Sequence, residues 1–310
     1  NALLYSVADG AQARFVSGIG VAVGYIGSIV GMLLVMPFVS GAIFSLSIPF
    51  ITGSGKAGAF LPTALLFLLF AIPVFIWVRE KRSRAPQRAS IRQSYREVWE
   101  GLRNTRKYPG VLRYLIADYF FEDAVATVIL NIGIYCAIVL QLPESQISLF
   151  LIISTISAVF GSVVIGKIAE RWSLKNLLTI IMWGWVVSLV LFVLTDSMPV
   201  IWLLGSIVGV LLGGLWTTSR PLLAEMVPRE ELGRFFGLFA LSGRAAAVIG
   251  PLVWTTVVYL TQSRPTLVGA NVVPATDGLP YKLAVLSLVG MILMGLFIFR
   301  KVPHTRKPNV

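Results

Sequence analysis

Hydrophobic residues in this chain occur in long continuous runs, and they do not alternate with polar residues. A run of roughly 20 residues is long enough to cross the ~30 Å hydrocarbon core of a bilayer as a helix. A strand of a membrane barrel needs only ~10 residues and alternates polar with apolar positions. The runs therefore predict an all-α, polytopic membrane protein. Its eight predicted spans are residues 16–39, 60–78, 111–140, 146–166, 176–195, 199–219, 235–260 and 282–299.

Composition supports this class and narrows the chemistry. Hydrophobic residues make up 56% of the 310 residues and charged residues only 13%, which excludes a soluble globular domain. The chain has one cysteine, Cys136, and one histidine, His304. A metal site or a cysteine–histidine nucleophile pair needs more of these residues. We therefore expect a protein that is not an enzyme and that has no cofactor and no metal.

The basic residues indicate how the chain is oriented in the membrane. The 26 Lys and Arg residues outnumber the 14 Asp and Glu residues, which gives a net charge of +12. When the predicted spans alternate in direction, 22 of the 26 basic residues fall on one side of the membrane. The positive-inside rule makes that side cytoplasmic, so both ends of this chain are expected there. Because the charge is confined to loops between spans, anionic lipid headgroups are the expected partner and nucleic acid is not.

One long polar segment divides the chain. Residues 80–110 are predicted to form a basic cytoplasmic linker between two spans in residues 1–79 and six spans in residues 111–300, with a cytoplasmic tail at 301–310. Apolar residues recur at helical spacing over residues 91–102, which indicates an amphipathic surface helix or, alternatively, a solvated linker. Because two spans followed by six is an unusual arrangement, we expect about four further spans upstream, which gives two six-span halves.

A short motif lies between the second and third spans of the six-span half. From Gly166 to Lys175 the sequence reads G-K-I-A-E-R-W-S-L-K. It resembles the G-x-x-A-D-R-x-G-x-[KR] motif of the major facilitator superfamily. The resemblance implies the fold of that superfamily, and it implies that Gly166, Glu170, Arg171 and Lys175 take part in conformational gating. The alternative is a basic loop that only sets topology.

Three further segments carry a narrower resemblance. They are residues 14–27, 119–127 and 219–228, the last continued by Arg234–Gly237, Gly243–Arg244 and Gly250–Pro251. In this order they are similar to segments of the vacuole effluxer family, which is related to autophagy-related protein 22. The resemblance implies efflux of amino acids or similar small solutes. It also marks Arg220 and Glu225 as further candidates for gating.

Three acidic residues lie in the otherwise apolar third span, where an ionised carboxylate is costly unless it has a partner or a task. They are Asp118, Glu122 and Asp123. At a rise of 1.5 Å per residue, Asp123 is expected about 18 Å from the start of its span, and Arg244 about 14 Å from the start of its own. We therefore predict that Arg244 neutralises Asp123, or that it binds a substrate carboxylate when Asp123 is protonated.

Asp118 and Glu122 are predicted to face away from Asp123. They are about 40° apart around the helix axis, whereas Asp123 is about 140° from Asp118. Two carboxylates one turn apart repel each other when both are ionised, which suits a site of proton coupling. Alternatively, each pairs with a neighbouring helix or reaches a water-filled vestibule. Asn131 and Trp216 are further candidates for lining the substrate site.

These features predict a secondary active transporter that moves small solutes by alternating access. Efflux of amino acids or related metabolites is the leading expectation, with protons as the candidate coupling ion. A drug or sugar carrier of the same superfamily and a transport-inactive scaffold or receptor are the alternatives. Gly250–Pro251 is expected to kink its helix, because proline removes a backbone donor.

Overall fold

The structure is a computed structural model that describes residues 10–40, 42–43, 46–47, 55–77, 105–262, 266–268, 271–273 and 278–303. Within these residues the chain forms eight α-helices and two antiparallel hairpins of very short strands. In chain order they are α1 Gly10–Ser40, β1 Ala42–Ile43, β2 Leu46–Ser47, α2 Phe60–Trp77, α3 Val111–Ile138, α4 Glu144–Ala169, α5 Leu174–Leu194, α6 Met198–Met226, α7 Leu232–Thr261, β3 Thr266–Val268, β4 Asn271–Val273 and α8 Leu279–Phe299.

The prediction of an all-helical membrane protein is confirmed. Each of the eight predicted spans coincides with one of these helices. Seven helices of the described residues are long and apolar enough to cross a membrane, and the shorter apolar stretch Ala57–Pro73 covers most of the remaining one, α2. The hairpins are additions that the sequence did not predict, because their strands have only two or three residues each.

The helices fall into two compact units. One unit comprises residues 1–22 and 95–310, and the other comprises residues 23–94. In the larger unit, α4 packs along α6, α3 lies against α7 and α8, and α5 lies against α6 and α8. The smaller unit contains the rest of α1, the first hairpin and α2. The amphipathic helix predicted at residues 91–102 and the tail from residue 304 onward lie outside the described residues.

Glycines allow α4 and α6 to approach closely. A methyl group on Gly161 of α4 would lie 2.5 Å from the Cα of Val210, and one on Gly213 of α6 would lie 2.8 Å from the backbone nitrogen of Ser162. Both distances are too short for a real contact. Helices in lipid associate largely through such close packing, because lipid tails are as apolar as the side chains.

Basic residues are concentrated at one end of the larger unit, around Lys175 and Arg300. We call this the basic end. Here Lys175, in the first turn of α5, is buried and donates hydrogen bonds to the carbonyl oxygens of Arg300 at 3.2 Å and of Val302. These two residues lie just beyond the C-terminal end of α8, where carbonyl oxygens accept no hydrogen bond from within the helix. Gly110, which precedes α3, has a φ of 89° and lies against Pro303. Only glycine adopts that backbone conformation without strain.

Helix α7 is broken in its middle, as the Gly250–Pro251 pair predicted. Ala247 has the non-helical angles φ −79° and ψ 17°. Ala247 is four residues before Pro251, and the proline ring clashes with the carbonyl of the residue at that position in a regular helix. The break leaves α7 as two helical segments, and the second begins near Val248.

The packing between α4 and α6 leads to a first prediction. Gly161→Ala should lower the free energy of unfolding by about 1–3 kcal/mol, because the new methyl group overlaps the backbone of α6. Gly290→Ala is the matched control, since a Cβ there meets no atom within 4 Å. Thermal unfolding of the detergent-solubilised protein measures both. Equal melting temperatures for the two variants would contradict close packing at Gly161.

Candidate functional site

Asp123 of α3 binds the break in α7. Its side chain is fully buried, and its two carboxylate oxygens accept the backbone N–H of Gly250 at 2.9 and 2.8 Å. Gly250 lies in the first turn of the second segment of α7, where backbone N–H groups have no partner within the helix. A carboxylate is favourable at that end because the helix dipole is positive there. Asp123 therefore caps the second segment of α7 from a neighbouring helix.

Arg244 does not join Asp123 in this structure. Its side chain is exposed, and no ion pair between the described residues links the two. The predicted pairing was based on the similar depths of the two residues in their spans and on the expectation that Asp123 needs a cation. The kink instead supplies a backbone donor, which takes the place that the prediction gave to the guanidinium. The part of Arg244 in binding substrate stays a prediction.

Asp118 lies on the opposite side of α3, toward α6. The Tyr114 hydroxyl donates to the carbonyl oxygen of Ser219 at 2.6 Å, and it lies 3.4 Å from Asp118 Oδ1. Asp118 is fully buried, and its Oδ2 accepts no hydrogen bond from the described residues. Tyr114 has one hydroxyl proton for these two acceptors, and the Ser219 carbonyl is the nearer of them.

Glu122 is one turn further along the same stripe. Its carboxylate lies beside Gly243 of α7, where any side chain at position 243 would overlap it. Glu122 is 5% exposed, and its Oε1 accepts no hydrogen bond from the described residues. Arg220 of α6 is close enough to attract it electrostatically. The Arg220 guanidinium lies 5.9 Å from the ring centre of Trp216, a cation–π distance.

These five residues form one group, which we call the carboxylate cluster: Tyr114, Asp118, Glu122, Trp216 and Arg220. It contains two buried carboxyl groups and one guanidinium. Asn131, by contrast, bonds within its own helix, because its Nδ2 donates to the carbonyl of Thr127 at 2.9 Å. Among the described residues, no three His, Cys, Asp or Glu side chains come together in a group able to hold a metal ion.

The basic end carries a buried ion pair that the sequence did not reveal. Arg14 of α1 is 2% exposed and bonds to Glu225 of α6, with nitrogen–oxygen distances of 2.6 and 2.8 Å. It also donates to the carbonyls of Ala169 at 2.7 Å and Trp172 at 3.0 Å, at the end of α4. One guanidinium thus joins three helices. The available signal was that Arg14 begins a glycine-rich apolar run with no acidic residue to match it.

The contacts beside Arg14 bring α1 close to the same two helices. The Ser17 hydroxyl donates to the Thr217 carbonyl at 3.1 Å in a buried site. A methyl group on Gly18 would lie 3.1 Å from the Cα of Gly166, so the backbones of α1 and α4 nearly touch there. Gly166 therefore lies at a helix crossing, and its part in gating stays a prediction.

The other predicted gating residues have local contacts. Glu170 pairs with Lys167 of its own helix at 2.7 Å, and Arg171 is exposed. Lys175 contacts the end of α8, so its contact lies within the six-helix bundle formed by α3 to α8. The structure thus brings Arg14, Gly166 and Glu225 together at one contact, while Glu170, Arg171 and Lys175 lie outside it.

Comparison with known proteins identifies the family of this chain. The sequence profile of the family described as "Vacuole effluxer Atg22 like" matches residues 4–298 of this chain. The chain belongs to the Atg22-like family. The match extends over α1 and the whole six-helix bundle, so it covers the residues of the carboxylate cluster and of the Arg14 ion pair.

Individual relatives agree with this assignment. The chain is 25% identical over 313 residues to the MFS-type transporter YxiO of Bacillus subtilis, an alignment that covers 100% of this chain and 68% of YxiO. It is 27% identical over 286 residues to autophagy-related protein 22-1 of Sclerotinia sclerotiorum, covering 81% of this chain and 46% of that protein. The chain therefore spans about half the length of the fungal relative.

Membership in the Atg22-like family and the spanning helices together establish the class. The chain is an integral, multi-pass membrane protein with the fold of the major facilitator superfamily, and its family is one of membrane transport. The lipid bilayer is the surroundings that the spanning helices imply.

The cap on α7 generates a second prediction. Gly250→Ala should destabilise the protein by about 1.5–3 kcal/mol, because the methyl group would lie 2.7 Å from Asp123 Oδ1 and would displace a hydrogen bond to a charged group. Gly237→Ala, also in α7, is the control, since a Cβ there meets no atom within 4 Å. Thermal unfolding compares the two, and a Gly250→Ala protein as stable as the control would disprove the cap.

Proposed function

We propose that the protein is a secondary active transporter that exports amino acids or related small metabolites, driven by protons, through alternating access between two helix bundles. Membership in the Atg22-like family supports the transport class. The observation that carries the proton coupling is the buried carboxylate cluster, in which two carboxyl groups are buried and only Glu122 is attracted by the Arg220 guanidinium. Fold alone does not determine a transporter's cargo, so the proposal depends on this site.

The charge balance of the cluster supports proton binding. Arg220 attracts Glu122 and matches one negative charge. A second buried negative charge on Asp118 would have no cation to match it among the described residues, and an unmatched buried charge is strongly unfavourable. A proton on Asp118 removes that charge, and the protonated carboxyl group can donate to the Tyr114 oxygen 3.4 Å away. We therefore assign the exchangeable proton to Asp118.

Proton release then requires a change in the surroundings of Asp118. Its neighbour Tyr114 joins α3 to α6 through the 2.6 Å hydrogen bond to the Ser219 carbonyl. If the two helices separate during transport, water reaches Asp118 and ionisation becomes favourable. Such a link between helix position and protonation is what couples a solute to a proton gradient, since each state then binds the proton with a different affinity.

The Arg14 ion pair is the proposed gate at the basic end. It holds α1 against α4 and α6 in the present conformation, and the positive-inside rule places that end in the cytoplasm, together with both ends of this chain. To open toward the cytoplasm, the protein has to break the bond to Glu225. Arg14 and Glu225 are therefore proposed to stabilise the state that is closed on the cytoplasmic side.

The proton assignment leads to a third prediction. Asp118→Asn should abolish proton-driven transport but retain flux of the solute down its own concentration gradient. Asparagine has the shape of aspartic acid but cannot release a proton. Proteoliposomes with an internal pH-sensitive dye and a panel of radiolabelled amino acids measure both fluxes. Glu144→Gln is the control, since Glu144 is an exposed acid at the far end of α4.

The same assay separates the alternatives. A transport-inactive scaffold gives no flux with any solute, and a facilitator gives flux without a change in internal pH. Flux of sugars or drugs, without flux of amino acids, would show that the proposed substrate class is wrong. Proton-driven flux in Asp118→Asn equal to that of Glu144→Gln would refute the assignment of the proton to Asp118.

The gate leads to a fourth prediction. Arg14→Gln should open the basic end. The reporter is a cysteine introduced by Thr217→Cys in a Cys136→Ala background, and it should react with a charged maleimide at least about tenfold faster when Arg14→Gln is added. A tenfold change needs a shift of only about 1.4 kcal/mol, and breaking a buried ion pair typically removes more. Arg171→Gln is the control, because Arg171 is exposed at the same end. Equal rates in the two variants would exclude the gate.

A further inference from the structure

A cavity lies inside the six-helix bundle, toward the end opposite the basic end. Its volume is about 120 Å³. It is enclosed by α3 to α6, with Trp254 of α7 and Val285 of α8 completing the wall. None of the acidic residues of α3 lines it. The cavity is thus separate from the carboxylate cluster.

The wall of the cavity is aromatic and uncharged. Five aromatic side chains line it, and no Asp, Glu, Lys or Arg does. The aromatic residues are Tyr135, Phe150, Trp185, Phe192 and Trp254. An apolar cavity of ~150 Å³ in a protein core stays dry and takes up benzene. A space of similar size with aromatic walls therefore suits one aromatic ring with a small substituent, and it excludes a charged ligand because nothing would match the charge.

Two polar atoms of the wall residues are left without a hydrogen bond by the part of the chain that the structure describes. Tyr135 Oη and Trp185 Nε1 belong to fully buried side chains, and neither forms a hydrogen bond with the described residues. Leaving a buried donor without an acceptor is unfavourable, and most buried polar groups in proteins are paired. Both groups can donate a hydrogen bond, so an acceptor oxygen on a ligand would supply what they lack.

The cavity has a mouth between α3 and α4. Ile129 and Leu151 both line the cavity, and they are 50% and 40% exposed. The two helices make few direct contacts with each other compared with the α4 and α6 pair. The exposed part of the wall is therefore between α3 and α4, and no residue of the carboxylate cluster lines the cavity.

We propose that this cavity is a binding site for a small, neutral, aromatic molecule that carries an acceptor oxygen. Its ring occupies the space between the aromatic side chains, and its oxygen accepts a hydrogen bond from Trp185 or Tyr135. This site is additional to the proposed transport site and does not depend on it.

Two probes of nearly equal shape test the site. Para-fluoroacetophenone carries an acceptor oxygen, and para-fluorocumene has a methyl group in its place. Fluorine NMR with the purified protein in nanodiscs, corrected for partition into lipid, gives the Kd of each. We expect saturable binding of both, with the ketone tighter.

Variants separate the contribution of the hydrogen bond from that of the space. Either Trp185→Phe or Tyr135→Phe should weaken binding of the ketone about fivefold and leave binding of the cumene unchanged, because a single hydrogen bond contributes on the order of 1 kcal/mol. A ketone affinity unchanged in both variants would contradict the proposed hydrogen bond. Trp183→Phe, at an exposed tryptophan of the same helix, should change neither. Val208→Phe fills the cavity and should abolish binding of both probes. Leu212→Phe is a second filling variant if Val208→Phe does not fold.

Three outcomes would overturn the proposal. One is the absence of saturable binding. Another is binding that survives both filling variants. The third is a copurified lipid whose acyl chain occupies the cavity and is not displaced by either probe. Glu122→Gln should bind both probes normally even if it does not transport, which keeps this test independent of the proposed function.

Discussion

A charge buried among membrane helices has to find its counterpart inside the protein, and in this chain the counterpart is repeatedly the end of another helix. Arg14 binds carbonyls at the C-terminal end of α4. Lys175 binds carbonyls at the C-terminal end of α8. Asp123 binds an amide at the start of the second segment of α7. In each case the sign of the charge is the one that the helix dipole favours. These backbone contacts hold neighbouring helices in register, and Arg14 adds an ion pair with the Glu225 side chain.

The same rule explains which parts of the structure could be predicted. The spans followed from hydropathy alone, because a bilayer allows few other arrangements of the backbone. The kink followed from Pro251 for an equally local reason. The partner of Asp123 could not be predicted, since it is a backbone amide that becomes available only through that kink. The partners of Arg14 could not be predicted either, because they lie up to 211 residues away along the chain.

The acidic residues of α3 differ in how completely they are satisfied. Asp123 has both oxygens engaged, which fits a structural task in shaping α7. Asp118 and Glu122 each keep one buried oxygen that accepts no hydrogen bond from the described residues. Helical spacing predicted that Asp123 faces away from the other two acids. It did not predict which of the carboxylates have all their oxygens hydrogen-bonded. Incomplete satisfaction is the property expected where protonation changes during a cycle, because a fully paired carboxylate has little reason to change.

The contact between Lys175 and the end of α8 sets a limit on protein engineering. The carbonyls of Arg300 and Val302 are the acceptors of this buried ammonium group, and Pro303 lies against Gly110. A fluorescent reporter or affinity tag joined directly after Phe299 would replace these residues and leave Lys175 facing unsuitable backbone. A fusion junction placed beyond Pro303 leaves these contacts intact, so the contacts of a single lysine give the earliest safe position for joining a reporter.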